Sequence, residues 1–279
     1  MQIEDALKNR LSMTSFGHLP SQSSWRTQAM RSHATPRLIF FAKGQGRITI
    51  AGLTSGYGPN NLIFVPANTM YGFEVGPASF GQILTIPDAM AVEWPDDCVH
   101  LRLRDVHAQK DLAHIFDALE RELLSAQSAH GRAAHYHLGL LSVYFERQIE
   151  LLHTDAVAGQ STQNRMDSAP ARLVAAYTDL VERDFRSRKG VSDFAAELGV
   201  TSTHLTRCCK ITCGRSALAL LNDRVLYEAR VQLRETDDRI QDIAEGLGFT
   251  SAAYFTRAFH THTGCTPTHF RQRGPAPVQ

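Results

Sequence analysis

The sequence predicts an α+β multidomain protein: a small N-terminal β-barrel with two amphipathic helices, followed by an all-α domain with two helix-turn-helix units. Three observations lead to this prediction. Short apolar runs separated by turn residues fill the first third, apolar residues recur at helical spacing from residue 111, and a C-terminal stretch repeats itself. At 279 residues the chain exceeds what one hydrophobic core usually organises, which favours at least two domains.

Composition is that of an ordinary globular protein. Apolar residues make up 43% and charged residues 20%. No run approaches the roughly 18 apolar residues of a membrane span, and the N-terminus has no signal-peptide pattern. We therefore expect a cytoplasmic protein without membrane contacts, with its five cysteines reduced. Residues 170–279 hold 15 Lys and Arg against 12 Asp and Glu, a net charge of +3, so the basic excess lies in the C-terminal part.

The first 110 residues predict β-structure after an N-terminal arm. Five apolar runs have the length and composition of strands, and Gly, Pro and Asn separate them. The runs are RLIFF at 37–41, RITI at 47–50, LIFV at 62–65, YGFEV at 71–75 and FGQILTI at 80–86. Strands at about ten-residue spacing are typical of a small barrel or sandwich.

Residues 111–153 predict a pair of helices, because apolar residues recur three and four positions apart in two stretches. They are Leu112, Ile115, Phe116, Leu119 and Leu123, then Leu138, Leu141, Phe145, Ile149 and Leu152. The pair either packs on the barrel or buries its stripes against a second copy, and the pattern leaves both open. Residues 154–169 have no period and are rich in Ser, Thr, Gln and Asn, so we expect a linker there.

The C-terminal domain, predicted at 170–273, contains an internal repeat. DFAAELGVTSTHLTRCCKITCG at 193–214 aligns with DIAEGLGFTSAAYFTRAFHTHTG at 242–264. The offset is 49 residues up to the Leu-Gly pair and 50 after it, so the second copy has one more residue in its turn. Each copy consists of a short helix, a Leu-Gly ending, a Thr or Ser cap and a second helix. This pattern predicts helix-turn-helix units at 191–212 and 239–262.

The second helix of each unit is expected to contact DNA. Apolar residues four positions apart face the core, so the residues between them face outward. The outward residues able to contact bases or phosphates are Thr203, Thr206, Arg207 and Lys210 in the first unit and Ala252, Ala253, Tyr254 and Arg257 in the second. We expect Arg207 and Arg257 to read bases, because arginine bonds both guanine acceptors in the major groove. The alternative is that both arginines are solvated or paired with carboxylates.

Residues 216–236, between the units, contain neither Gly nor Pro and predict one long helix. About 20 residues rising 1.5 Å each span roughly 30 Å, close to the roughly 34 Å between successive major-groove faces of B-DNA. We therefore expect the chain to bind double-stranded DNA in two adjacent major grooves.

From residue 171 to 273 the sequence resembles the AraC/XylS family of transcription regulators. Its most specific residues are Ile243-Ala244, Leu247-Gly248-Phe249, Tyr254-Phe255, Arg257, Phe259, Gly264, Pro267 and Phe270-Arg271. In the first unit Cys209 replaces the family's common aromatic residue. The resemblance implies a transcription regulator, an activator rather than a repressor, that contacts RNA polymerase.

The N-terminal strands resemble the cupin-like sensor domain often attached to such regulators, with residues 44–73 matching its hairpin and turn. This resemblance implies a small-molecule effector in the barrel and a homodimer formed through residues 111–153. The candidate effector-binding residues are Trp25, Arg37, Phe40, Phe64 and Tyr71, with Arg37 or Arg47 available to hold a carboxylate. The alternative is that these aromatic residues only fill the core.

Two other functions remain open. Enzymatic cupins hold a metal with several His and a Glu, whereas the strands here offer only His33 and Glu74, so we expect no metal, no cofactor and no enzymatic activity. A cupin-type metalloenzyme fused to a DNA-binding module is the first alternative. A thiol-based sensor is the second, since Cys208, Cys209, Cys213 and Cys265 lie close in sequence. Cys209 is expected in the core, which favours structural roles.

Overall fold

The computed structural model describes residues 10–17, 24–156 and 168–272. These ranges contain a β-rich N-terminal region and an all-helical C-terminal region, in agreement with the predicted fold class. Within them, no helix combines the length and the apolarity needed to cross a bilayer.

Eight strands in the described ranges form two antiparallel sheets. They are β1 (Ser12–Phe16), β2 (Arg37–Lys43), β3 (Gly46–Ile50), β4 (Leu53–Tyr57), β5 (Asn61–Val65), β6 (Tyr71–Phe73), β7 (Phe80–Thr85) and β8 (Val99–Arg102). One sheet has the order β1-β7-β2-β5-β8 and the other the order β4-β3-β6. All five predicted runs are strands. The described strands form two separate sheets, so the closed barrel that the sequence favoured is not seen.

Strands β2 and β5 are buried on both faces, which explains their continuous apolar runs. Successive side chains of a strand point to opposite faces. Leu38 and Phe40 therefore pack beneath two helices, whereas Ile39 and Phe41 pack against the three-stranded sheet and contribute to a core with Ile48. The two sheets thus face each other, and helices cover the outer face of the larger one.

Among the described residues, four helices belong to the N-terminal region: α1 (Trp25–Gln28), α2 (Asp88–Ala91), α3 (Val106–Leu124) and α4 (His130–Ala156). The predicted pair is α3 and α4, and its apolar stripes pack on the five-stranded sheet except for Leu152, which is exposed. Helix α3 begins before residue 111 because the Asp105 carboxylate accepts a hydrogen bond from the Ala108 amide and caps it.

In residues 168–272, the described part of the C-terminal region, the chain forms seven helices. They are α5 (Ala169–Asp184), α6 (Val191–Glu197), α7 (Ser202–Cys213), α8 (Ala217–Glu235), α9 (Ile240–Gly246), α10 (Ala252–Thr263) and α11 (Pro267–Gln272). The predicted units correspond to α6–α7 and α9–α10, and the predicted long helix is α8. Residues 154–156 continue α4 rather than beginning the linker, whereas residues 157–167 and Arg273 lie outside the described residues.

The two regions pack on each other at a contact that we call the joint. Met30 and Met70 of the N-terminal region belong to the same buried core as the C-terminal helices. The Trp25 ring contacts Tyr227 of α8 and Phe270 of α11, at centroid distances of 5.8 and 5.9 Å. Helix α8, which connects the two helix-turn-helix units, therefore also contacts the N-terminal region.

Candidate nucleic-acid interface

The first helix of each unit ends in the same way. Gly199 and Gly248 follow α6 and α9 with φ of +69° and +80°, in the left-handed region that glycine adopts without strain. The amide of the next residue donates to the carbonyl of Ala195 or Ala244, at 2.9 Å in both units. These hydrogen bonds reverse the chain into the turn, and both alanines are almost completely buried.

The second helix of each unit also begins and ends in the same way. Thr201 and Ser251 accept a hydrogen bond from the amide three residues ahead, at 3.2 Å in both cases. Gly214 and Gly264 end α7 and α10 with φ of +72° and +74°. Helix α9 begins 49 residues after α6 (240 against 191) and α10 begins 50 after α7 (252 against 202). The structure thus confirms that the extra residue lies in the turn of the second unit, between α9 and α10.

The residues predicted to face the core are buried in both units. Leu205 and Cys209 of α7 and Phe255 and Phe259 of α10 have no exposed surface. The small Cys209 is accommodated because α5 packs on α7 and brings Tyr177 beside the thiol.

The opposite faces of α7 and α10 carry the predicted DNA-contacting residues. Thr203, Arg207, Lys210, Ala253, Tyr254 and Arg257 are exposed, and Thr206 and Ala252 are half-buried. On α7 these positions share one face, because they are separated by three or four residues. The sequence analysis did not consider His204, which is also exposed on α7. The fold therefore brings the α7 set together on one face and exposes Ala253, Tyr254 and Arg257 on α10. The contact of both sets with DNA stays a prediction.

Arg207 and Arg257 differ from most other arginines of this region. Neither guanidinium makes a hydrogen bond or ion pair with another residue of the described ranges, so no carboxylate there competes for them. Arg224, in contrast, donates to both carboxylate oxygens of Glu182, at 2.7 and 3.0 Å, and is buried. That pair ties α8 to α5, whereas Arg207 and Arg257 are free to bind an external acceptor.

The clustered cysteines do not show the features of a reactive thiol. All of those described are free. Burial raises the pKa of Cys209 to about 12 and also raises the pKa of Cys213. The thiolate is the reactive form, and reactive cysteines have a lowered pKa. The environment of Cys209 and Cys213 thus favours a structural role over a thiol-based sensor.

The five candidate effector-binding residues do not share one cavity. Phe40 and Phe64 lie in the core under α3 and α4, because they occupy the same face of adjacent strands. Tyr71 lies in the core between the sheets, Trp25 lies at the joint, and Arg37 donates hydrogen bonds to Thr35 and Pro36. Sequence reasoning placed them together because it could not assign strand faces and sheets. A contact of any of them with an effector stays a prediction.

Across the described ranges, no group of three or more His, Cys, Asp or Glu is placed to hold a metal ion. Burial, assisted by the neighbouring Arg37, lowers the pKa of His33 to about 2, and Glu74 is exposed at the joint-facing end of β6.

Comparison with known proteins agrees with this duplicated architecture. Residues 194–273 match a family model described as a helix-turn-helix domain. The probable transcription factor PqrA of Proteus vulgaris is 38% identical over 87 residues, which cover 31% of this chain and 71% of PqrA. The chain belongs to the AraC/XylS family of transcription regulators. The resemblance that the sequence showed is thereby confirmed.

Other relatives match this AraC/XylS-family chain over longer stretches. The regulator ExsA of Pseudomonas aeruginosa is 27% identical over 138 residues, half of each chain. An uncharacterized HTH-type transcriptional regulator of Staphylococcus aureus is 25% identical over 179 residues, which cover 64% of this chain but only 23% of that protein. The chain thus matches about a quarter of the length of the Staphylococcus relatives. These relatives are named as transcriptional regulators, in agreement with the prediction that the chain is not an enzyme.

Two solved structures are also similar. ToxT from Vibrio cholerae aligns over 96% of this chain and 99% of its own, with 11% identity and a TM-score of 0.44. An AraC-type regulator from Chromobacterium violaceum aligns over 38% of this chain and 95% of its own, with 24% identity and a TM-score of 0.35.

Proposed function

We propose that this AraC/XylS-family chain is a sequence-specific DNA-binding transcription regulator that inserts α7 and α10 into two successive major grooves of one duplex. The observation that carries this proposal is the matched pair of unpaired guanidinium groups, Arg207 and Arg257, on two helices with the same caps. Helix α8 has 19 residues and spans about 28 Å, comparable with the roughly 34 Å of one DNA turn.

The other predicted residues of these two helices are assigned supporting contacts. Thr203 and Thr206 carry methyl and hydroxyl groups suited to thymine methyls and phosphates, and Lys210 supplies a phosphate contact. Ala252 and Ala253 allow α10 to approach the base edges closely, and Tyr254 contacts the backbone. The proposed interface therefore reads bases through arginine and fixes its register through phosphates.

Selection from a randomised pool of duplexes tests this proposal. The full chain should enrich one sequence, and the double variant Arg207→Ala/Arg257→Ala should lose that enrichment while keeping salt-dependent binding. Arg132→Ala, which removes an exposed arginine from α4, is the matched control and should select as the unchanged chain does. Absence of any enriched sequence, or the same sequence from the double variant, would overturn the proposal.

We propose that the regulator is a homodimer formed through α4. One face of α4 is buried on the sheet, whereas the apolar residues Tyr136, Leu140, Val143 and Leu151 form a stripe on another face and are 42–68% exposed. A two-fold axis allows such a stripe to cover its own copy, so no second kind of surface is needed. Leu140→Glu should shift the sedimentation coefficient to that of a monomer, whereas Lys110→Glu on α3 should not. A monomeric unchanged chain would refute the dimer.

We further propose that the regulator activates transcription by contacting RNA polymerase in the cytoplasm, and that a small molecule controls it. Family membership supports activation, and a large cavity at the joint supports an effector. Trp25 lines that cavity, while Arg37, Phe40, Phe64 and Tyr71 lie outside its lining. In vitro transcription from a promoter carrying the selected site should rise with added protein. A fall in transcript would make the protein a repressor.

A further inference from the structure

A cavity of about 1000 Å³ lies at the joint. Its N-terminal wall is formed by α1 and by strands β3, β4 and β6 of the three-stranded sheet. Its C-terminal wall is formed by α8, α11 and the ends of α7 and α10. One cavity therefore contacts the N-terminal sheets, the connecting helix and both proposed recognition helices.

The lining of this cavity is rich in positive charge. It includes five arginines, Arg26, Arg47, Arg215, Arg230 and Arg234, but only two acidic residues, Glu74 and Asp223. Asp223 is already used, because its carboxylate forms an ion pair with Arg215 at 2.6 Å. The arginines exceed the carboxylates by three.

Arg230 has a hydrogen-bond donor that no described group of the protein satisfies. Its guanidinium lies over the Trp25 ring, 5.3 Å from the centroid, and its buried Nε has no hydrogen-bond partner among the residues described. A buried donor without an acceptor is destabilising, and more so when it carries charge. Arginine also presents its donors in a planar fork that fits the oxygens of carboxylates and phosphates. An anion bound beside Arg230 would supply the missing acceptor.

The rest of the lining combines polar and apolar groups. The hydroxyls of Thr49 and Thr54 lie 2.7 Å apart on neighbouring strands, whereas Trp25, Met30, Phe73 and Phe270 supply apolar surface. We infer that this cavity binds a small molecule with two or more negative charges on phosphate or carboxylate groups, and that this ligand is the effector. The binding itself is independent of the proposed function, but the effector role rests on the proposed DNA binding.

Calorimetric titration of the full chain tests the binding step. The probes are inorganic phosphate, citrate and glucose 6-phosphate at constant ionic strength, with glucose and palmitate as neutral and singly charged comparisons. At least one multiply charged probe should bind with one-to-one stoichiometry, and Arg47→Gln and Arg230→Gln should each weaken it at least tenfold. Arg132→Gln should bind as the unchanged chain does. Arg47 is exposed, so its variant is expected to fold even if the Arg230 variant does not.

The inference fails if none of the three charged probes binds, if only palmitate binds, or if Arg47→Gln binds as tightly as the unchanged chain. The effector role is tested by measuring affinity for the selected duplex with and without the bound probe. Affinity should change about fivefold or more, and Arg47→Gln should abolish the change. DNA binding that ignores the probe overturns the effector role but leaves the proposed function standing. Lack of sequence preference in every condition overturns the proposed function instead.

Discussion

The two helix-turn-helix units have the same turn glycines and helix caps but different core residues. Both use a left-handed glycine, a Thr or Ser cap and a second left-handed glycine. In the second unit, Phe255 and Phe259 belong to a chain of aromatic contacts with Phe249 and Phe270. In the first, Cys209 is small and the neighbouring helix α5 supplies the volume. The difference shows that turn and cap chemistry define the unit, whereas core residues are free to vary when a neighbour fills the space.

The largest difference between the units is expected in core stability. Phe259→Ala should lower the free energy of unfolding by about 3–5 kcal/mol, because it leaves a cavity in the aromatic chain. Cys209→Ala removes one atom that contributes about 1 kcal/mol. Urea unfolding of the full chain, followed by circular dichroism, measures both. Equal losses of unfolding free energy would mean that both cores are equally sensitive to truncation of a side chain.

The turn glycines offer a second matched pair. A Cβ at Gly199 meets no atom within 4 Å. Gly199→Ala should therefore lower the free energy of unfolding only by the strain of the left-handed backbone, about 1–2 kcal/mol. A Cβ at Gly248 lies 2.5 Å from the backbone oxygen of Ser187, so Gly248→Ala should cost about 1–3 kcal/mol more. Gly214→Ala, also in open space, is the control and should match Gly199→Ala. The same urea measurement decides, and a Gly248 variant no worse than the Gly199 variant would contradict this packing.

The two units should contribute similar amounts to DNA affinity but read different base pairs. Arg207→Ala and Arg257→Ala should each weaken binding to the selected duplex by about 1–3 kcal/mol and relax the preference at one base pair. Lys210→Ala, as a phosphate contact, should weaken all duplexes alike and lower the salt slope by about one. Fluorescence anisotropy with single-base variants of the site measures both. Uniform weakening by the Arg257 variant would reassign that residue to the phosphate backbone.

The smallest effect is expected for the cysteines that follow the core of each unit. Cys213 donates to the Cys209 carbonyl at 3.1 Å, a bond that serine reproduces, and Cys265 is half-buried. Cys213→Ser and Cys265→Ser should therefore change stability by less than about 0.5 kcal/mol. DNA affinity should be the same before and after peroxide treatment of either variant and of the unchanged chain. An oxidant response that the Cys213 variant loses would revive the thiol-sensor alternative.

Sequence patterns predicted most of the helices but not the short α1, α2 and α11, and they predicted the strands in part. The three missed strands, β1, β4 and β8, are all at sheet edges and mix polar with apolar residues. An edge strand buries fewer side chains than a central one, so it lacks the continuous apolar run that identified β2 and β5. The start of α3 was missed because its cap, Asp105, precedes the apolar stripe.

The proposed DNA interface was predictable and the cavity at the joint was not. Arg207 and Arg257 lie within short repeats whose helical period assigns them to the outer face. The cavity depends on Trp25, Arg47 and Arg230, which are far apart in sequence and meet only because the two regions dock. Local periodicity carries no information about such docking, so the predicted effector residues followed strand composition instead.

The central claim is that one chain holds α7 and α10 in register with consecutive turns of a single duplex. The most direct test inserts five base pairs between the two half-elements of the selected site, which rotates one of them to the far side of the helix. Rigid α8 should then prevent both contacts from forming together, and affinity for a short duplex should fall to that of a duplex that carries one half-element alone. Unchanged affinity after the five-base-pair insertion would contradict the claim.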